Sequence, residues 1–121
     1  RARVLSYIVG SMELAKQKCL PCEGGVPPLQ AQALEAFQAQ LDQEAPGWEI
    51  KNYKRLERIF KFPDFLSALD FANKVGQIAE TEGHHPNIEL GWGFVRILLW
   101  THAIGGLSQA DFALAAKISR L

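Results

Sequence analysis

The chain has 121 residues, 48% hydrophobic and 21% charged, a composition typical of an ordinary globular domain. Thirteen basic residues offset thirteen acidic ones, so charge gives no case for nucleic acid or an anionic membrane as partner. No apolar run approaches the ~20 residues of a bilayer span. Two cysteines are too few for a disulfide scaffold, which makes a reducing compartment the default.

The length suits one domain, read as residues 19–121 behind an N-terminal extension, residues 1–18. Residues 1–11 lack an initiator. Either Gly10-Ser11-Met12 is a cloning remnant ahead of a natural start at Met12, or the arginine-bearing, acid-free segment is what is left of an organellar presequence. The location expected is cytoplasmic, or mitochondrial or plastid if a presequence was removed. Cys19 and Cys22 then form C-L-P-C. A zinc site would need a second ligand pair and no further cysteine exists, while a redox pair belongs between a strand and a helix. A plain structural role stands beside both.

Leu29, Ala33, Leu34, Phe37 and Leu41 recur at helical steps and predict a helix from Pro28 to Ala45-Pro46-Gly47. Trp48-Glu49-Ile50 and Leu56 to Phe62 predict a β-hairpin across polar Asn52 to Arg55. Trp48 reads as a core anchor or as an aromatic wall of a ligand site. Pro63 opens a second helix that runs to about Glu82 and stops at Gly83. Ile88 to Leu90 and Phe94 to Thr101 predict a second hairpin around Gly91-Trp92-Gly93. Beyond the Gly105-Gly106 turn, Ser108 caps a final helix with Asp111 in its first turn. Phe112, Ala115, Ala116, Ile118 and Leu121 cover more than one face of that helix, which predicts packing on the sheet and on another subunit. The order α-β-β-α-β-β-α predicts an α+β fold: a four-stranded antiparallel sheet with three helices on one face.

The chemistry gathers between Glu80 and Asp111, where all three histidines lie, at His84, His85 and His102. Glu80 is one turn before the helix end and can point toward the His84-His85 loop. Two-residue alternation puts Phe94, Arg96, Leu98, Trp100 and His102 on one strand face, with His102 at its end. A carboxylate at Asp111 can orient a histidine. Imidazoles and carboxylates with no evident nucleophile suggest proton transfer, as in an elimination of water served by one base and one acid. A metal site is the rival, although adjacent histidines lack the i, i+4 spacing that aims two ligands at one ion. The bland alternative is histidines at loop and strand ends with no joint role.

E-T-E-G-H-H-P, followed by W-T-H-A-I-G-G-L-S-Q-A-D-F and A-A-K-I, resembles the pterin-4a-carbinolamine dehydratases, most closely plant and algal-type members. The resemblance extends over nearly all of residues 19–120, with a looser fit from Ile88 to Gly93. It implies a dehydratase that converts 4a-hydroxytetrahydropterin to quinonoid dihydropterin and water in tetrahydrobiopterin-type cofactor recycling. It implies no metal or prosthetic group, and a homodimer or homotetramer. By residue, it implies catalytic roles for His84, His85 and His102, and binding or orienting roles for Glu80, Asp111, Trp48, Thr101 and Pro86. Dehydratase-like proteins also serve as Rubisco assembly factors or stabilise a transcription-factor dimer, so a non-catalytic assembly role on the same fold is the second implication.

Overall fold

The computed structural model describes residues 13–19 and 27–121. The expectations for Cys22 and for the segment up to Met12 lie outside the described residues.

The first apolar stripe forms helix α1, Ala31–Glu44. It starts three residues after Pro28, because the segment before it is extended and the Leu29 N–H donates to Leu107 O at 2.9 Å. The hairpin follows as β1, Glu49–Lys51, and β2, Arg55–Lys61, paired antiparallel with Ile50 opposite Leu56. Asn52 and Tyr53 turn it through the left-handed region, at φ 52° and 60°. Helix α2, Phe65–Glu82, begins after Pro63, because Asp64 is its cap: its carboxylate accepts the Ser67 N–H at 2.7 Å. That backbone hydrogen bond holds the Asp64 carboxyl below its usual value.

The second hairpin comprises β3, Asn87–Gly91, and β4, Phe94–Leu99. The sheet order is β1-β2-β4-β3 with every neighbour antiparallel. Phe94 lies over its partner Gly91 so closely that a Cβ there would come within 2.3 Å of the ring, which explains a glycine in this strand. Val95, Ile97 and Leu99 face the helices and are fully buried. The opposite face carries a charged ladder in which Lys51 and Arg96 both pair with Glu57, and Arg96 also with Glu89. With α3, Gln109–Ser119, this is the expected α+β order of three helices and four strands.

Two expectations are corrected. The last strand ends at Leu99, not Thr101: the Thr101 N–H donates to Gly106 O at 2.8 Å, closing a small loop whose residues His102–Ile104 form a 3-10 turn. His102 therefore does not continue the alternation of β4. The second concerns α3, where every residue from Ala110 to Ala116 is buried within this one chain. Phe37 of α1 stacks on Phe112 at 5.1 Å, fully buried Leu14 joins the same core, and Lys117 Nζ donates to Ala15 O at 2.7 Å. The surplus apolar surface of α3 from Ala110 to Ile118 is covered by the turn Leu14–Lys16 and by α1, whereas Leu121 beyond the helix stays exposed. Among the described residues no helix is long and apolar enough to cross a membrane.

Candidate active site

The site begins where α2 stops. Gly83 takes the left-handed conformation at φ 67°, its N–H returns to Glu80 O, and the His84 N–H reaches back to Ala79 O at 3.1 Å. This pair of bonds is a Schellman motif, which reverses the chain at once and turns His84 back over the helix end. His84 retains only 13% side-chain exposure, whereas His85, next along, retains 61%.

Asp111 is the fixed point of the site. It occupies the first turn of α3, is fully buried, and accepts from three groups. His84 Nε2 lies 2.6 Å from Oδ1, while the Thr101 hydroxyl and the Ser108 N–H reach Oδ2 at 2.8 and 2.9 Å. Ser108 and Asp111 form a capping box, so the carboxylate that terminates the helix also receives the histidine. Because Thr101 donates to Asp111, it accepts from Ser108, whose Oγ is 2.7 Å away. As Asp111 is an acceptor, its bond to His84 puts the proton on Nε2 and leaves Nδ1 free. A carboxylate so buried is tolerated because its partners satisfy it.

Glu80 meets the other loop histidine, Oε1 lying 3.0 Å from His85 Nε2 in an exposed pair of little intrinsic strength. Pro86 joins His85 to β3. His102 follows Thr101, and its ring stacks on Trp100 with centroids 4.4 Å apart and planes 20° apart. Through Thr101 and Asp111, the residue beside His102 is therefore two hydrogen bonds from His84.

Trp48 sits elsewhere. It is 3% exposed, its Nε1–H donates to Ser119 Oγ at 2.8 Å, and its ring meets Phe60 edge-on at 6.0 Å. Cys19 is also a core side chain: its thiol points at Ala110 O, 3.6 Å away, and burial, with Glu82 beside it, pushes it up to about 12. Such a thiol stays protonated at neutral pH and is no nucleophile. Sequence reasoning missed the part of Ser108 beyond capping, although its spacing from Asp111 carried the signal. It also missed Arg55, whose guanidinium lies 4.0 Å from the Trp100 ring centroid.

The family model for pterin 4 alpha carbinolamine dehydratase matches residues 27–121. A protein from Rubrobacter xylanophilus is 50% identical over 109 residues, covering 90% of this chain and 98% of its own length. One from Rickettsia canadensis is 49% identical over 105 residues, covering 87% and 94%. Both carry the provisional name pterin-4-alpha-carbinolamine dehydratase. The solved transcriptional coactivator/pterin dehydratase from Brucella melitensis superposes with a TM-score of 0.68 at 26% identity, over 77% of this chain and 96% of that one. A pterin dehydratase-like protein described as a RuBisCO assembly factor in the alpha-carboxysome superposes with a TM-score of 0.52 at 25% identity, over 61% and 87%.

Proposed function

The chain belongs to the pterin 4 alpha carbinolamine dehydratase family, and on that premise we propose that it removes water from 4a-hydroxytetrahydropterin to give quinonoid dihydropterin. The reaction takes a proton from pterin N5, forms the C4a–N5 double bond, and delivers a proton to the departing 4a-hydroxyl. One base and one acid suffice, and each positioned group is typically worth ~10²–10⁴-fold.

The observation that carries this reading is the His84–Asp111 pair. A ring whose Nε2–H is held by a fully buried carboxylate keeps one tautomer and one orientation, with Nδ1 as the free lone pair. When Nδ1 takes a proton, Asp111 stabilises the positive charge that forms, as the aspartate does in a serine-protease triad. His84 is accordingly the base of the proposal. His85 and His102 flank the pterin and supply the acid, with Glu80 orienting His85 and Thr101 and Ser108 holding Asp111. Pro86 keeps the loop turned toward β3. Trp48, as a core residue bonded to Ser119, supports the sheet and is left out of the pocket wall.

A homodimer or homotetramer is part of the proposal. With α3 covered, one exposed apolar face among the described residues is the start of α2, where Leu66 is 73% exposed and Phe65 46%, with Leu121 also exposed at 46%. A non-catalytic assembly role is the second reading, favoured by the likeness to the RuBisCO assembly factor, which spans less of the chain than the Brucella likeness. Formation of quinonoid dihydropterin from 4a-hydroxytetrahydropterin by the purified chain separates the two. A rate no faster than buffer would leave the assembly reading.

A further inference from the structure

His84 and His85 each have a carboxylate. His102 has none: among the described residues its side chain makes no hydrogen bond or ion pair, and it projects from an exposed three-residue 3-10 turn. The second torsion of a histidine is soft, so an exposed imidazole on a short turn has no intrinsic orientation. What meets the ring is the indole of Trp100, nearly parallel at 4.4 Å. That indole is itself held. Arg55 begins β2 beside the Leu56–Leu99 pair, its guanidinium packs 4.0 Å from the indole centroid, and its Nη1 donates to Lys54 O at 3.1 Å. A planar cation on an indole is a favoured contact that resists rotation of both groups.

We infer that Trp100 and Arg55 are positioning residues that set the plane of the His102 imidazole. The chemistry explains why stacking is used here and a hydrogen bond at His84. A hydrogen bond fixes a histidine by occupying one of its nitrogens, whereas stacking fixes the ring and leaves both nitrogens open. A group that must carry a proton to or from a bound molecule keeps its full donor and acceptor capacity in this way. His84 is held through one nitrogen by its partner; His102 is only aimed. The kinetic consequence rests on the dehydratase reading, but the geometric claim does not.

The test uses the full chain labelled with ¹³C at histidine. It contains three histidines, so three ring signals are expected, and a His102→Gln variant identifies the third. The inference requires the His102 ring protons of the wild type to be displaced upfield by the indole ring current. In Trp100→Leu that displacement should vanish while the His84 and His85 signals hold their places, which also reports that the site is still folded. Trp100→Phe should restore most of it, and Arg55→Met should reduce it. In the dehydration assay Trp100→Leu should lower kcat about tenfold with KM within about twofold, and Trp100→Phe should recover most of the loss, since misorienting a reacting group costs rate rather than binding. A wild-type His102 signal with no upfield displacement, or one unchanged by Trp100→Leu or by Arg55→Met, would overturn the inference. If the wild type has no dehydratase activity, the resonance measurement decides the geometry by itself.

Discussion

His84 Nε2 and Asp111 Oδ1 lie 2.6 Å apart although 27 residues separate them in the chain. The bond joins the C-terminal end of α2 to the first turn of α3, so two helix termini define the base of the site. Each terminus is built by a local device, a left-handed glycine at one and a capping box at the other.

Replacing the carboxylate with an amide tests the pairing. Asp111→Asn preserves shape but removes an acceptor that can take His84, Thr101 and Ser108 together. We expect kcat to fall by about 10²-fold or more, within the range that positioned acid–base groups supply. Steady-state kinetics alongside a thermal melt separates this from unfolding. A folded Asp111→Asn protein at the wild-type rate would remove His84 as base.

The glycine that turns the chain into His84 makes a second test. Nothing lies within 4 Å of a Cβ built on Gly83, so Gly83→Ala adds no clash, only the strain of φ 67°. A left-handed alanine costs about 1–2 kcal/mol. Urea unfolding should read a loss of that size, and activity should fall with it because His84 is placed by the same turn. A stability unchanged by the substitution would contradict the strain argument.

The fold was largely legible because its signals are local. Helical spacing from Leu29 to Leu41, the Pro63 start and the Gly83 stop of α2, and Ser108 three residues before Asp111 all act within one or two turns. What was hidden depends on contacts far apart in sequence. The last strand stops at Leu99 because Thr101 pairs with Gly106, and the third helix is covered by Leu14 and Phe37 from the other end of the chain. Periodicity counts apolar faces and cannot say which segment will cover them. The histidine site was legible as a cluster of residue types, but the choice of His84 for Asp111 and of Glu80 for His85 needed the three-dimensional turn. Trp48 could be read in two ways from sequence, and its bond to Ser119, 71 residues away, seats it in the core.

Cys19 gives a prediction in alkali. Its folded value, about 12, lies above the ordinary thiol value of 9.0. The folded chain thus holds the proton longer, and the stability this represents is intact below about pH 9 and is lost as pH rises toward 12. Cys19→Ala should be less stable than wild type at pH 7, through lost packing, and the gap should narrow between pH 9 and 11 in denaturant titrations. A constant gap across that range would contradict the burial of the thiol.

The exposed start of α2 predicts self-association. Leu66→Glu should shift the sedimentation-velocity species to monomer while leaving the circular dichroism spectrum unchanged, because Leu66 contributes little to the chain's own core. A wild type that sediments as a monomer at micromolar concentration would remove this face as an interface.

In the proposed reaction the histidines move protons for a pterin. The most direct measurement is stopped-flow formation of quinonoid dihydropterin from 4a-hydroxytetrahydropterin, with wild type, His84→Ala, His85→Ala and His102→Ala compared at equal concentration. The wild type should accelerate the reaction over buffer, and each variant should lose at least about tenfold of that rate. A wild-type rate equal to that of buffer, or one that all three variants match, would contradict the proposal.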